Sequence, residues 1–402
     1  MFLSFMKKII YNSLFVLFLI SITSESYAVI SLGNSSSVLY TKDFQADPTM
    51  RDFQSVHGKA EFSSAGLHIK SSKSLIQSNR YFALAQRIVR YHIKLSSDAK
   101  AIFQSDKKDF IATVDMQEKK ISIHTDPLLE KSVSFLNANH EYLVEIHRNY
   151  QKSKIKIIDL NTAEESEIEV TNDGTGGVGK GSEGKGFQVG RQYDYYCFGL
   201  EKGTEFIMKK MIVSSLITKP TLLIYGDSIT EPEGYFPTKD FANSWTQLII
   251  RELNGNAVSS GRGGTTIHEL FERIKNELPS IQAKYVMITI GTNGANTFEN
   301  LSQVVEYILS QNAIPILNNI PSNESGTQIQ VNNIIDQVRK KYNIKGCRFD
   351  IATSVNYDGK VVDTSTMYFE DYDWGKIYHH PNVKGSKLMF LRTLIDVPEI
   401  YE

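Results

Sequence analysis

A serine stands directly after an apolar run in the second half of the chain. Residues 222–225 are apolar and are followed by Gly226, Asp227 and Ser228. A short apolar run that ends in glycine is typical of a buried parallel strand with a sharp exit. Because ligands of open α/β sheets bind at the carboxyl ends of the strands, Ser228 is a candidate nucleophile. The alternative is a serine that caps the following helix.

Two further strand ends carry residues that would assist such a nucleophile. Residues 257–259 lead towards Gly264, and the apolar run 285–290 ends at Asn293 after two small residues. When a serine attacks a carbonyl carbon, hydrogen-bond donors must stabilise the oxyanion that forms. The backbone N–H of Gly264 and the side-chain amide of Asn293 are predicted to be such donors.

Nucleophilic attack by a serine also needs a general base, and the second half of the chain has three histidines. His268 lies one helical turn beyond Gly264 and is predicted to face the surface of a helix. His379 and His380 come just before the last predicted helix, where a loop histidine can reach a strand end. They could instead form a surface pair that caps this helix. The residues alone leave the choice between His379 and His380 open.

The two halves of the chain have different hydrophobic patterns. Apolar and polar residues alternate over 89–95, and similar short runs separated by turn residues recur up to 213. This pattern predicts an all-β antiparallel sandwich over 29–217. From 218 onward strands alternate with helical patterns, which predicts a parallel sheet with helices on both faces over 218–402. Helices are predicted near 243–253, 267–277, 301–309, 328–342 and 384–393, and a last strand at 347–349.

The N-terminus is typical of a secretory signal peptide over residues 1–28. Two lysines at positions 7 and 8 precede an apolar stretch over 9–22, and Ala28 closes a small-residue cleavage site. Secretion, or export to a bacterial periplasm, is therefore expected, with no stable membrane insertion after cleavage. An uncleaved membrane anchor is the alternative. A formal net charge of −1 gives no basic field for nucleic acid, so no nucleic-acid partner is predicted.

Three other features of the sequence bear on ligands. Cys197 and Cys347 show no zinc-ligand spacing, so no metal or other cofactor is predicted, and two buried free thiols are favoured over a disulfide. The glycine-rich residues 174–186 lack the spacing of a phosphate-binding loop and are predicted to connect two strands. Three nearby tyrosines either line a sugar-binding face or pack inside the sandwich: Tyr193, Tyr195 and Tyr196.

The second half resembles the SGNH family of GDSL-type serine hydrolases in four blocks of residues. Residues 226–228 resemble the first block, 260–266 the second, 291–293 the third and 380–382 the last. The resemblance implies Ser228 as nucleophile and His380 as base. It also implies an oxyanion hole formed by the backbone N–H groups of Ser228 and Gly264 and the side chain of Asn293, and a flavodoxin-like three-layer fold. The pattern over 141–170 resembles jelly-roll sandwiches of the concanavalin and laminin-G type, which implies a fold and no ligand.

The chain departs from the family where an aspartate usually orients the histidine. Three residues before His380 the chain has Ile377. The candidates are then Asp371 and Asp373, with Asp373 preferred, or a backbone carbonyl in place of a carboxylate. Two smaller departures are Gly294 where the third block usually has aspartate and Ser259 where the second block commonly has asparagine.

A secreted family member with a sandwich domain resembles the bacterial carbohydrate esterases. The resemblance implies a secreted serine esterase that removes O-acetyl or other small acyl groups from carbohydrate through an acyl-enzyme. Its expected partner is an acylated carbohydrate substrate. The alternatives are a lipase or thioesterase, and a non-catalytic glycan-binding protein that has lost its catalytic acid. The oligomeric state is left open.

Overall fold

The first part of the chain forms two antiparallel sheets that pack face to face. We analysed a computed structural model, which describes residues 37–106, 110–149, 152–171, 195–231, 236, 238–372 and 375–402. One sheet has the order β13-β12-β11-β6-β15-β4-β3, with β1 also beside β15, and the other has the order β10-β9-β8-β7-β14-β5-β2. The strands are β1 (Ser37–Asp43), β2 (Phe53–His57), β3 (Ala60–Ser63), β4 (Gly66–Ile69), β5 (Ser74–Ser78), β6 (Gln86–Leu95), β7 (Lys100–Ser105), β8 (Ile111–Asp115), β9 (Lys120–Ile123), β10 (Leu129–Ser132), β11 (Glu141–Asn149), β12 (Lys152–Asp159), β13 (Glu165–Thr171), β14 (Tyr196–Lys202) and β15 (Phe206–Ser215).

The core of this sandwich is built by alternate residues of the long strands. On β6, Tyr91, Ile93 and Leu95 are buried in a cluster with residues of both sheets, including Phe103 and Phe198 of the opposite sheet. A strand with period-two alternation presents one face to the core and the other outward. The alternation seen in the sequence therefore follows from the packing of the two sheets.

The second part is a parallel sheet between two layers of helices. Its strands have the order β17-β16-β18-β19. They are β16 (Leu222–Gly226), β17 (Ala257–Gly261), β18 (Tyr285–Thr289) and β19 (Ile314–Leu317). The α-helices are α1 (Trp245–Glu252), α2 (Ile267–Ile281), α3 (Phe298–Ser310), α4 (Gln328–Tyr342), α5 (Phe349–Ala352) and α6 (Val383–Asp396), with short 3₁₀ helices at Thr238–Asn243, Thr364–Thr366 and Pro398–Ile400.

Strand β16 is buried on both faces, as a central parallel strand should be. Leu223 and Tyr225 pack in the core with α2, α3 and α4, whereas Leu222 and Ile224 pack in the core with α1 and α6. A strand covered on both faces has an uninterrupted apolar sequence rather than an alternating one. The predicted fold class, an antiparallel sandwich followed by an α/β domain with a parallel sheet, is confirmed.

Two local predictions about the second part were wrong. Residues 347–349 do not form a regular strand: isolated parallel bridges involve Lys345 and Arg348, and α5 begins at Phe349. A two-stranded antiparallel hairpin, β20 (Met367–Tyr372) and β21 (Gly375–Pro381), was not predicted. His379 and His380 therefore lie on a strand and not in a loop.

The sandwich and the α/β part are joined by buried hydrogen bonds. The N–H of Ala85 donates to the carbonyl oxygen of Ser259 on β17 at 2.8 Å. The Glu277 carboxylate on α2 accepts the N–H groups of Ala83 and Leu84 at 2.8 and 3.1 Å, and the hydroxyl of Ser260 at 2.8 Å. Residues Ser37–Glu402 accordingly form one compact unit. The change from antiparallel to parallel strands falls between Ser215 and Leu222.

Several sequence predictions fall on residues outside the described part of the chain. These are the signal peptide over 1–28, the glycine-rich residues 174–186, Tyr193 and Asp373. Within the described part, Cys197 and Cys347 are buried free thiols, as predicted, and burial raises the pKa of Cys197 to about 12. The helices that the structure describes include none with the length and apolar character needed to cross a bilayer.

Candidate active site

Ser228 lies just beyond the carboxyl end of β16, in a tight turn that the local sequence specifies. The carbonyl oxygen of Asp227 accepts the N–H groups of Thr230 and Glu231, both at 3.1 Å. The position of Gly226 leaves no room for a side chain, because a Cβ there would lie 2.0 Å from Thr230 Oγ1. The glycine therefore lets the chain turn sharply, and the turn holds Ser228 at the sheet edge with 6% of its surface exposed.

Three side chains are in contact at this sheet edge. His380 Nε2 lies 2.7 Å from Ser228 Oγ, and His380 Nδ1 lies 2.5 Å from Glu370 Oε1. An ionised carboxylate only accepts hydrogen bonds, so Nδ1 carries the proton that faces Glu370, and Nε2 is left to accept the serine hydroxyl. Glu370 is fully buried and His380 is 5% exposed. This is the arrangement of a nucleophile, a base and a carboxylate that orients the base.

The β20–β21 hairpin brings the histidine and the carboxylate together. Phe369 pairs with Tyr378 and Glu370 with Ile377, but the register shifts before Met367 pairs with Pro381. Two residues of β21, His379 and His380, therefore lie opposite Tyr368 alone, which is the pattern of a β-bulge. Strict alternation from Ile377 would turn His380 to the opposite face. The extra residue turns its ring to the face that carries Glu370.

The acid partner of His380 is thus Glu370, which is not one of the predicted candidates. Asp371 is the next residue on β20, points to the other face of the hairpin and lies 3.8 Å from Lys376 Nζ. Asp373 is outside the described residues. The prediction that Asp373, Asp371 or a backbone carbonyl orients the histidine was therefore wrong. The group at His380 Nδ1 is the side chain of Glu370.

Gly264 and Asn293 occupy the ends of the two strands that flank β16. Asn293 Nδ2 donates to the carbonyl oxygen of Thr265 at 3.1 Å, which links the two segments. An amide nitrogen has two hydrogens, so this bond orients the side chain and leaves one donor for a ligand. Gly264 has a φ of +75°, in the region that favours glycine. Gly264 and Asn293 are both exposed at the sheet edge.

A buried glutamate holds the segment before Gly264 against the serine turn. Glu231 Oε2 accepts the N–H of Gly263 at 2.5 Å and lies 3.6 Å from Arg262 Nη1. The N–H of Arg262 also donates to the carbonyl oxygen of Gly226 at 3.2 Å. These bonds connect the segment that carries Gly264 to the turn that carries Ser228. Ser228, Gly264 and Asn293 therefore lie at the ends of three adjacent strands.

A known protein family matches the part of the chain that contains this site. Residues 224–388 match the model of the GDSL-like lipase/acylhydrolase family, and this range includes Ser228, Gly264, Asn293, Glu370 and His380. The chain carries a GDSL-type hydrolase domain. For the domain over 224–388 the predicted family is confirmed, and with it the class of carboxylic ester hydrolase. No curated protein is a significant match to the chain.

Several known structures are similar to somewhat less than half of the chain. A variant of an acetyl xylan esterase from Geobacillus stearothermophilus is 19% identical, covers 46% of this chain and 95% of its own, and has a TM-score of 0.36. LAE5, an α/β hydrolase enzyme from the metagenome of Lake Arreo in Spain, is 15% identical, with 44% and 94% covered and a TM-score of 0.35. The Ca²⁺-bound exoplasmic/lumenal domain of VIP36 is 12% identical, with 45% and 91% covered and a TM-score of 0.34.

The Asn293 amide gives a first testable expectation for the GDSL-type domain. Replacing Asn293 by alanine should lower kcat about 100-fold with little change in KM, because an oxyanion donor acts on charge that exists only in the transition state. Asn300→Ala is a matched control, since Asn300 Nδ2 donates to the carbonyl oxygen of Ala295 in the same segment of chain. Steady-state kinetics on an aryl acetate measure both. An equal loss of kcat in Asn293→Ala and Asn300→Ala would contradict the role of Asn293 as an oxyanion donor.

His379 tests which of the two adjacent histidines is the base. Burial, with repulsion from His380, lowers the pKa of His379 to about 4, so this ring is neutral at pH 7. It packs edge-on against His380 with 4.6 Å between ring centroids. We expect His379→Ala to lower kcat less than about tenfold, the scale of a packing change and far below the loss of a base. A loss of several thousandfold would return the base to His379.

Asp227 gives an expectation for stability against pH. Burial raises the pKa of its carboxyl group to about 6, and the hydrogen bond from the Ile229 N–H to Asp227 Oδ1 acts in the opposite direction. The folded protein then binds this proton up to a higher pH than the unfolded chain does. The free energy of unfolding should therefore fall as pH rises from about 4 to about 6, by an amount on the order of 3 kcal/mol.

The Asp227→Asn variant isolates this contribution. Asparagine keeps an oxygen for the Ile229 N–H but cannot ionise, so the decline between pH 4 and 6 should shrink and the variant should be the more stable protein at pH 7. Urea unfolding of both proteins at pH 4, 5, 6 and 7 measures the difference. If the free energies of unfolding of the two proteins changed equally with pH, the raised pKa of Asp227 would be contradicted.

Proposed function

We propose that this protein is a secreted serine esterase that removes O-acetyl or other small acyl groups from carbohydrate. The observation that carries the proposal is the 2.7 Å contact between Ser228 Oγ and His380 Nε2, with Glu370 behind the ring. The hypothesis of a non-catalytic glycan-binding protein assumed that the chain lacks a catalytic acid. Because Glu370 contacts His380 Nδ1, that assumption no longer supports the hypothesis.

The first half-reaction transfers the acyl group to the enzyme. Ser228 Oγ attacks the ester carbonyl carbon while its proton moves to His380 Nε2, and the Glu370 carboxylate stabilises the imidazolium. The carbonyl oxygen becomes an oxyanion that accepts hydrogen bonds from the N–H groups of Ser228 and Gly264 and from Asn293 Nδ2. The carbon–oxygen bond to the sugar then breaks, and the sugar hydroxyl leaves with the proton from His380.

The second half-reaction returns the free enzyme. His380 Nε2 takes a proton from a water molecule, whose oxygen attacks the acyl carbon attached to Ser228 Oγ. The same donors meet the second oxyanion. Ser228 then leaves with the proton held by His380, and the acyl group departs as a carboxylic acid, which loses its proton to the solvent. The two half-reactions together consume one ester and one water molecule and need no further co-reactant.

Two features favour an acylated carbohydrate over a lipid. The surface beside Gly264 carries carboxylates and tyrosine side chains, and a lipase would place an apolar groove there. The signal-peptide pattern over 1–28 supports export of the protein to a place where polysaccharides are found. A lipase or thioesterase remains the enzymatic alternative.

Acetate release from acetylated glycans tests the proposal. Purified wild-type protein and its Ser228→Ala variant are incubated with acetylated xylan, acetylated mannan, acetylated pectin and a short-chain triglyceride, and the free acid is measured. We expect acetate from at least one glycan with the wild-type protein only. Release of acid from the triglyceride alone would favour a lipase. Equal release of acid by the wild-type protein and the Ser228→Ala variant would overturn the proposal.

A further inference from the structure

A cleft lies where the sandwich meets the segment of the hydrolase domain that carries Gly264. Its volume is about 220 Å³, and its walls include Tyr81, Asp106 and Tyr195 of the sandwich and Gly264 and Glu272 of the hydrolase domain. This volume is below the ~300 Å³ at which pockets for drug-sized ligands begin, so it suits a single ring of a longer ligand. Because Gly264 also serves the candidate oxyanion hole, a group in this cleft borders the reacting ester.

Two tyrosine rings form the aromatic wall of the cleft. The ring centroids of Tyr81 and Tyr195 are 5.3 Å apart, with an angle of 37° between the planes. Both residues are partly exposed, whereas the next residue, Tyr196, is fully buried in the sandwich core. Of the tyrosines whose role the sequence left open, Tyr196 is thus a packing residue and Tyr195 faces the cleft.

The aromatic wall is held in place by the helix that also braces the catalytic turn. Asn276 Nδ2 on α2 donates to the carbonyl oxygen of Tyr81 at 3.1 Å. The guanidinium carbon of Arg273 lies 5.5 Å from the centre of the Tyr81 ring, and Arg273 Nη2 donates to the carbonyl oxygen of Gly226 at 2.8 Å. A ligand would therefore meet a wall that is already ordered, which lowers the entropy cost of binding.

Three carboxylates surround the tyrosines. Asp106 accepts the N–H of Tyr195 at 3.3 Å, Glu269 caps α2 through Thr266, and Glu272 pairs with Lys275. Ionised carboxylates accept hydrogen bonds, and the hydroxyl groups of a sugar donate them. The tyrosine faces suit the C–H faces of a sugar ring. Among the described residues that line the cleft are these three carboxylates and no lysine or arginine, so a negatively charged sugar is disfavoured.

We propose that this cleft is a subsite for a neutral sugar unit of the glycan whose ester reacts at Ser228. The inference rests on the proposed function and adds to it a site and a selectivity. The sandwich then contributes directly to substrate recognition, through Tyr81, Asp106 and Tyr195. The preferred substrate is an acylated neutral oligosaccharide rather than an acylated uronate.

Tyr195→Ala tests the subsite by comparing two substrates. We expect kcat/KM for an acetylated neutral oligosaccharide to fall about tenfold more than kcat/KM for 4-nitrophenyl acetate, mainly through KM, which is the scale of one aromatic contact. Tyr195→Phe should retain most of the oligosaccharide activity. Leu128→Ala is the control, because Leu128 is 51% exposed and precedes β10 at the far edge of the same sheet. Equal losses on both substrates in Tyr195→Ala would overturn the subsite.

A binding measurement separates this inference from the proposed function. Titration calorimetry with the Ser228→Ala protein and a deacetylated neutral oligosaccharide does not depend on hydrolysis. We expect binding that Tyr195→Ala weakens about tenfold and no binding of an oligouronate of equal length. Tighter binding of the oligouronate, or binding unaffected by Tyr195→Ala, would overturn the subsite and leave the esterase proposal standing. A wild-type protein that binds the sugar but releases no acetate from any glycan would overturn the proposed function alone.

Discussion

Replacing Ser228 by alanine should lower kcat for an aryl acetate by about five to six orders of magnitude, as in other serine hydrolases that lose their nucleophile. Ser228 Oγ is the atom that forms the acyl-enzyme, and His380 Nε2 lies 2.7 Å from it. His380→Ala should cost nearly as much. Because the two residues act as a unit, the double variant should be no slower than either single variant.

The control for this prediction is Ser325→Ala, which removes an exposed serine of the segment between β19 and α4. It should keep kcat and KM within twofold of wild type, about the scatter of a neutral surface change. Losses from Ser228→Ala and His380→Ala that multiply in the double variant would mean that the residues act independently. Such a result would contradict the shared proton transfer.

Replacing Glu370 by glutamine should lower kcat by about 10³ to 10⁴-fold with little change in KM. Glutamine is close in shape to glutamate, but its amide can donate to Nδ1 of His380. The ring would then carry its proton on Nε2, where it cannot accept the proton of Ser228. Glutamine also lacks the charge that stabilises the imidazolium formed during attack.

Asp371→Asn is the matched control, because it makes the same kind of change one residue further along β20. Asp371 faces away from His380 and lies near Lys376. We expect its kcat to stay within about twofold of wild type, since an exposed ion pair contributes little. The opposite ranking of the two variants would restore Asp371 as the orienting acid.

The parts of the site that could be predicted from sequence are those set by local patterns. The apolar run before Ser228 predicts a central strand, because β16 is covered by helices on both faces. Gly264 and Asn293 follow the strands on either side of it, so their proximity follows from the topology of a parallel sheet. The same reasoning separates the sandwich from the α/β part, because the two have different hydrophobic periods.

Glu370 could not be predicted because its contact depends on cross-strand register. It is ten residues from His380 in the chain, and the two meet only across the β20–β21 hairpin. The bulge opposite Tyr368 then decides which face the histidine ring takes. The available signal was the aromatic residues of 367–372, followed by the turn-forming Gly375 and then by Ile377 and Tyr378, a composition that is compatible with a hairpin. It gives the strands but not the register.

The association of the sandwich with the hydrolase domain also lies beyond local patterns. Glu277 is the last residue of the helix that the sequence predicts over 267–277, and glutamate side chains are rarely fully buried unless they are paired. In the structure it is fully buried and accepts N–H groups from residues nearly two hundred positions earlier. A buried carboxylate needs such partners.

Covalent labelling with a fluorophosphonate tests the central claim most directly. Such a probe phosphonylates a serine only when a base activates it, so no assumption about the sugar or the acyl group enters. Mass spectrometry of the digested wild-type protein should locate the adduct on Ser228. Labelling of Glu370→Gln and His380→Ala should be slower by orders of magnitude, and labelling of Asp371→Asn should proceed at the wild-type rate. An adduct on another serine, or labelling of Ser228 at equal rates in all four proteins, would contradict the Ser228–His380–Glu370 site.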